Sequence, residues 1–405
     1  MSVRRMVNPI QEYAWGSREG IAGLQRRPRS ERPEAELWMG AHPHAPSLLE
    51  SDDGTEPGTL GALITADPVG ALGASCVHAF GARLPYLLKV LAADQPLSLQ
   101  VHPDAERARL GFDAENEAGV DPGAAHRVFR DPYAKPELLV ALTEFQLLHG
   151  FRHAAVAADA LDALGIDRLG DVVGALRAGE PTGEVFLHLI GWPQADRVAL
   201  VRDVKDAVAA APSDAMSPWL LALADRYPDD PGVVGVLLLN YLVLQPGQGV
   251  YVRPGQIHSY LHGTGIEILG GSDNVIRCGL TSKHVSPTEL RSMLSVAPIE
   301  PAVVRPVAGA DGGETWPTPQ PEFELTRLTL DHQSRALSRR GPSIFLCVEG
   351  KVEITCCDTA VTLAPGDSAF VAADATELGA SGSGVLLRAN PQSAADPSVR
   401  AGVHG

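Results

Sequence analysis

Gln100 and His102 stand two positions apart in PLSLQVHPD, residues 96–104, inside an apolar run that stops at Pro103. On a β-strand, residues i and i+2 point to the same face, so an amide oxygen and an imidazole would project side by side. Such a pair is half of a metal site. Two further strand-like segments offer the other half, Glu137 in AKPELLVAL and His258 in PGQIHSY. Two imidazoles, a carboxylate and a neutral amide oxygen form a borderline-to-hard N/O set suited to zinc or another first-row divalent ion. With no thiolate, and with positions left for water or substrate, the set is catalytic in style rather than structural. Spacing alone does not select these residues, because the chain holds 13 histidines. His42 and His44 in AHPHAP repeat the i, i+2 geometry and are read as a loop feature.

A cationic group lies nearby in sequence. IRCGLTSKH places Arg277 and Lys283 in one segment after His258, and Lys135 lies two residues before Glu137. Arg and Lys together are a usual phosphate-binding combination, one a planar fork and the other a point charge. Each taken singly is equally a solvated surface charge. Acid and base candidates are Glu267 in GIEIL, Asp273 in GSDN, Lys135, and Lys89 in YLLKVL. A lysine among aliphatic residues either snorkels or pairs with a buried anion, and the sequence leaves both open. Trp15 and Trp38 could wall a pocket, core packing being the default for an aromatic.

The elements that must carry these groups are mostly strands. Up to about Leu148, short aliphatic runs alternate with Gly, Pro and Asp punctuation, which reads as β-rich, with one helix-forming insertion at residues 103–119. From His153 to about Pro228 the pattern becomes Ala-rich with apolar residues three and four apart, a helical block. Strand character returns from Leu242, and the Pro/Gly-rich residues 306–321 read as a linker to a last β-rich unit. LQPGQGVYVRPGQIHSY from Leu244 and LAPGDSAFVAADATELG from Leu363 form a faint repeat in which Glu377 takes the place of His258.

Composition narrows the partners. At 405 residues, 45% hydrophobic and 20% charged, the chain can bury more than one core. A net charge of -16 disfavours nucleic acid and anionic membranes and requires a local basic pocket for any anionic ligand. Five cysteines without a CxxC pair fit a reducing cytoplasm, and VVGVLLLNYLVL is too short to span a bilayer.

The motifs YAWGS, AELWMGAHP, LPYLLKVLAADQPLSLQVHPD, KPELLVAL and PGQIHSYLHGTGIEILGGSDNVIRCGLTSKH, in order from residue 8 to about 290, resemble the type I mannose-6-phosphate isomerases. The resemblance implies one zinc ion per chain on Gln100, His102, Glu137 and His258. It implies a mainly β fold of two cupin or jelly-roll-type barrels with an α-helical insertion. The catalytic cupin would occupy residues 1–152 and 229–305, the helical insertion 153–228, and a second barrel without a metal 306–405. Lys135, Glu267, Asp273 and Arg277 fall on the family's catalytic positions. Arg277 and Lys283 fall on its phosphate contacts, with Lys89, Trp15 and Ser98 as further substrate contacts.

The reaction implied is the interconversion of mannose 6-phosphate and fructose 6-phosphate through a cis-enediol, a cytoplasmic step of carbohydrate metabolism that leads to GDP-mannose. The implied partner is a small sugar phosphate bound by a monomer, with no nucleic acid and no membrane. Two departures stand out: Ser282 where the family usually has Pro, and Tyr133-Ala134 where His commonly precedes KPE. Two rivals differ in class, an iron oxygenase on the two-His, one-carboxylate triad and a sugar-phosphate sensor that binds without converting.

Overall fold

Every residue of the strand Tyr86–Ala93 is buried, which a strand achieves only when both of its faces are covered. A computed structural model of the chain, describing residues 3–50, 57–124, 126–212, 215–282, 285 and 287–392, shows what covers them. The outward side chains Tyr86, Leu88, Val90 and Ala92 pack against Phe323, Leu325, Ile344, Leu346 and Phe370 of a second β unit. Facing inward are Leu87, Lys89, Leu91 and Ala93, and the apolar ones among them seal a core with Leu139, Phe145, Val252 and Tyr260 or with Trp38 and Leu269. Each fully buried aliphatic side chain contributes about 1.5–3 kcal/mol, so both faces help fix this strand.

The molecule is mainly β, with its named strands in two antiparallel sheets. The first runs Val303–Val304, Gly249–Val252, Glu137–Ala141, His258–Gly270, Tyr86–Ala93, Glu36–Met39 and Ile10–Gln11. His258–Gly270 serves two neighbourhoods. Its first half pairs with Leu99–Val101 and Phe145–Phe151, and its second half with Tyr86–Ala93 and Glu137–Ala141. The changeover falls at Gly263, at φ +128°, where a Cβ would lie 2.6 Å from the Glu144 carbonyl oxygen. Glycine is required there by backbone conformation and by close approach.

Helices Ala154–Asp162, Gly170–Arg177, Thr182–Ile190, Arg197–Ala210 and Ser217–Arg226 occupy the block whose periodicity predicts them. Their core, with Leu161, Val173, Phe186, Val204 and Leu220, is continuous with Leu99, Val101, Ile257 and Ile276. The two halves of the first sheet are therefore backed separately, one by helices and the other by the second β unit.

The second sheet holds Glu324–Asp331, Leu378–Asn390, Ser343–Cys356 and Ser368–Val371, and it also recruits Val3–Val7 from the N-terminus. Residues 306–321, expected as a linker, instead contain strands Val307–Ala308 and Glu314–Trp316. Trp316 is buried between the units and donates its indole N–H to the Gly247 carbonyl at 2.9 Å. An aromatic anchor outweighs a turn-rich composition there.

Three short helices, Leu60–Ala66, Pro68–Leu72 and Ala74–Phe80, lie in the segment expected to be β-rich. Thr59 and Asp67 cap the first two, while Pro68 and Gly73 break the run into pieces too short to show a helical period. The insertion at residues 103–119 does form a helix, Ala105–Glu117, capped by Asp104.

Candidate metal centre

Alternation along three strands builds the site. Leu99 and Val101 turn outward to the helical core, so Gln100 between them faces the interior. Gln100 is the cross-strand partner of His258 on one side and of Arg277 on the other. Residues directly opposite share a face, so His258, Gln100 and Arg277 form a row across the sheet. Ile257 and Leu261 face outward, leaving His258 and Tyr260 inward. Glu137 opens the neighbouring strand, opposite Leu269 and Val252.

Beside the row, candidate ligands from distant parts of the chain converge. Nε2 of His102 lies 3.2 Å from one Glu137 oxygen, and Nε2 of His258 lies 3.3 Å from the other. The donor atoms of His102, Glu137 and His258 are all within 4.8 Å of one another, and all three residues are buried. The other nitrogen of each ring meets a backbone carbonyl: His102 Nδ1 reaches Asn274 O at 2.7 Å, and His258 Nδ1 reaches Gln256 O at 3.3 Å. A carbonyl only accepts, so in the neutral rings each proton sits on Nδ1 and each Nε2 lone pair is aimed at the carboxylate.

Burial, with the charge of Lys135 added, lowers the His102 pKa to about 4, so that ring is neutral near pH 7. Its Nε2 is buried without a hydrogen-bond partner. An unpartnered imidazole lone pair facing one carboxylate oxygen, with a second imidazole nitrogen at the other oxygen, fits a divalent cation. Among the described residues this is the one group of three such donors. Gln100 donates its amide N–H to Ser98 Oγ at 3.4 Å, which leaves its oxygen as the atom for a fourth ligand.

A second group of buried charges lies beside the ligands. Lys135 Nζ is 3.1 Å from Glu137, whose carboxyl is held well below its usual range: burial raises it, and Lys135 and His102 more than offset that. Lys89 bridges Glu36 and Glu267, at 3.3 Å from each. It pairs with buried anions rather than snorkelling. Burial alone would lower its pKa, but Glu36, Glu267 and Glu137 together hold it above the ordinary value. The Glu267 carboxyl is raised above the ordinary value, first by burial and then by the charge of Glu137.

Asp273 and Arg277 line a cleft of about 1480 Å³ that also touches His42, Arg83, Arg130, Asp131 and Tyr133. Arg277 has no ion-pair partner among the described residues, and burial alone lowers its pKa from the ordinary value. Trp15 packs against the interior apolar cluster beside Tyr13. Lys283 lies outside the described residues.

Several site residues escaped the sequence. His42, read as a loop feature, places Nε2 at 2.8 and 3.0 Å from the Asp273 oxygens. Glu36 accepts the Trp38 indole N–H at 2.8 Å while holding Lys89. Tyr260 donates its hydroxyl to Glu137 at 3.4 Å. Asn274 orients His102 through its carbonyl and braces the 131–133 loop with its amide. Alternation could have found two of them, since Tyr260 is i+2 from His258 and Glu36 is i+2 from Trp38. Asn274 reaches His102 through its backbone carbonyl, a contact that leaves no side-chain signature.

Comparison with known proteins shows the family of the chain. Residues 3–154 match the family described as phosphomannose isomerase type I, catalytic domain. The chain is 33% identical to the mannose-6-phosphate isomerase of Salmonella typhimurium over 404 residues, covering 95% of this chain and 99% of that protein. It is 33% identical to the Escherichia coli enzyme at the same coverage, and 30% identical to mannose-6-phosphate isomerase 1 of Arabidopsis thaliana over 93% and 90%. Among solved structures, the S. typhimurium isomerase bound to substrate and zinc superposes with a TM-score of 0.89 at 32% identity, covering 97% of this chain and all of that one.

Proposed function

The chain belongs to the type I mannose-6-phosphate isomerases, and from that premise we propose that it interconverts mannose 6-phosphate and fructose 6-phosphate through a cis-enediol, using one zinc ion. The observation that carries the reading is the pair of imidazole nitrogens converging with a carboxylate beside a buried lysine. His102, Glu137, His258 and the Gln100 oxygen would hold the ion. When bound, a divalent cation polarises the sugar carbonyl and offsets the negative charge that develops on the enediolate.

The chain's own groups divide the remaining work. Arg277, at the end of the row that starts at His258, takes the phosphate and fixes C1 and C2 over the site, assisted by Lys283. Lys135, beside Glu137, and the buried Glu267 move the proton between C1 and C2. Lys89 holds Glu267 in place, Asp273 serves ring opening at the cleft, and Trp15 and Ser98 bound the sugar and Gln100 respectively.

The two β units are read as cupin-type barrels, the catalytic one comprising residues 1–152 and 229–305 around the helical insertion 153–228. The barrel of residues 306–405 backs it and borrows the Val3–Val7 strand. The five free cysteines suit a cytoplasmic enzyme that acts as a monomer and supplies mannose 6-phosphate toward GDP-mannose.

A coupled assay that follows fructose 6-phosphate formed from mannose 6-phosphate tests the proposal. Chelation should abolish turnover and zinc should restore it. Absence of turnover in zinc-replete protein would overturn the isomerase reading.

A further inference from the structure

His42 has both ring nitrogens engaged. Nδ1 accepts the backbone N–H of His44 at 3.3 Å, so the neutral ring carries its proton on Nε2, the atom directed at both Asp273 oxygens. The ring also stands edge-on to Trp38, with centroids 4.6 Å apart. Trp38 is fixed in turn by Glu36, which holds Lys89. His42 is thus a rigid donor with no free nitrogen to act as a base. On the backbone side, the N–H of Asp273 donates to Asp131 at 2.7 Å. The carboxylate of Asp273 keeps 40% of its surface exposed, lining the same cleft as Arg277.

We propose that His42 is a positioning residue for Asp273, holding that carboxylate in the orientation from which it takes the proton of the sugar's anomeric hydroxyl as the ring opens. In that step the O1–H proton passes to Asp273 and the electron pair left on O1 forms the C1–O1 double bond. The ring C1–O5 bond breaks toward O5, which is protonated by cleft water, and Asp273 returns its proton to the resulting hydroxide. The inference rests on the isomerase reading and adds to it a residue that touches no reacting atom.

The charged and titratable groups facing Asp273 are His42, Lys135, Lys89, Asp131 and the Tyr13 phenol. Burial raises its pKa, but the His42 hydrogen bond and then the charges of Lys135 and Lys89 hold it below the ordinary value. Removing the His42 donor should therefore move the acidic limb of kcat/KM to higher pH.

The test uses the zinc-loaded full chain and the variants His42→Ala, His42→Gln, Asp273→Asn and the double variant His42→Ala/Asp273→Asn, with zinc content and thermal unfolding measured for each. His42→Ala should lower kcat about 10- to 100-fold, as expected for loss of alignment in general acid–base catalysis, with little change in KM. Its acidic limb should rise, and His42→Gln, whose amide can still donate, should recover much of both. In the Asp273→Asn background, His42→Ala should cost nothing further. A wild-type pH profile in His42→Ala, additive losses in the double variant, or a loss that only tracks zinc content would overturn the positioning role. If Asp273→Asn is inactive and His42→Ala is not, only this inference falls. Full activity in Asp273→Asn would overturn it by removing the ring-opening role assigned to Asp273 above.

Discussion

Aligned on Leu244 and Leu363, the two β units build the same strands around opposite interiors. Gly249–Val252 matches Ser368–Val371, and His258–Gly270 matches Leu378–Asn390 to within one residue. The inward positions then diverge. His258 corresponds to Glu377, which is exposed at φ +53° and joins no site. Tyr260 corresponds to Gly379, and buried Glu267 to Leu386, which packs with Phe345, Val352, Ile354 and Leu363. The first interior holds at least four buried ionised or ionisable groups, whereas the second is mainly apolar, with the buried Arg388 over the Phe345 ring as its exception. The framework thus folds without the site. The catalytic unit carries buried charges because its outer surfaces are sealed by the helices and by its own counterpart.

Exchanging residues at the Glu267/Leu386 position tests that contrast most severely. Glu267→Leu gives the catalytic unit its counterpart's side chain. Turnover should fall by about 10²- to 10⁴-fold, the range for loss of a general acid or base. The fold should persist, since an apolar residue replaces a buried ionisable group and Lys89 keeps Glu36. The reciprocal Leu386→Glu puts a carboxyl among Phe345, Val352, Ile354 and Leu363, where the nearby buried Arg388 is already held by Ser338, Ser343 and Asp311, and should cost several kcal/mol. A coupled assay and thermal unfolding read the two arms. Turnover within twofold of wild type in Glu267→Leu, or an unchanged melting temperature in Leu386→Glu, would break the contrast.

Acid should separate the units by the same logic. Burial lowers both His102 and His149 to about 4, the first also by Lys135 and the second also by His258, while His332 of the second unit is exposed. The unfolded chain binds protons at these histidines near pH 6.5 and the folded chain does not until about pH 4. Stability therefore falls as pH drops through that window, by up to about 1.4 kcal/mol per pH unit for each histidine. Urea midpoints of zinc-free protein at pH 7, 6 and 5 should decline accordingly. Zinc should raise the midpoint at pH 7 and lose that effect toward pH 5, because protons compete for the ligands. A midpoint independent of pH between 7 and 5 would show that the two rings are not held neutral.

Strand alternation and residue chemistry act locally, so the sequence could nominate the candidate ligands, with Gln100 between two outward aliphatics and His258 and Glu137 beginning strands, but choosing them among 13 histidines took the family resemblance. The helical block was legible for the same reason, its period being intrinsic to the segment. What could not be read depends on contacts between distant segments. Lys89 had two open fates until Glu36 and Glu267 were placed on either side of it, and His42 looked like a loop residue because Asp273 lies on a distant turn. The second sheet's capture of Val3–Val7 and the anchoring of Trp316 are likewise properties of pairing and packing, to which composition is blind.

The repeat also contains a signal that is only a turn. Gln248 N donates to Gln245 O and Asp367 N to Ala364 O, each at 2.9 Å, around Pro-Gly pairs in which Gly247 and Gly366 sit at φ +85°. Pro followed by a positive-φ Gly is the type II arrangement. It recurs at Pro254-Gly255, where Gln256 N donates to Arg253 O at 3.0 Å, so this turn alone is no sign of duplication. The effect of alanine should accordingly follow the surroundings rather than the unit. Gly247→Ala should cost about 1 kcal/mol, since its Cβ would meet only Arg327 Nη1 at 3.5 Å. Gly366→Ala should cost somewhat more, because its Cβ would fall 2.3 Å from Gln25 Cγ and that side chain must swing away. Neither change should alter kcat, as both turns lie outside the ligand row. Denaturant unfolding measures the two costs, and a neutral or stabilising effect at both would mean that the left-handed conformation is not what these glycines supply.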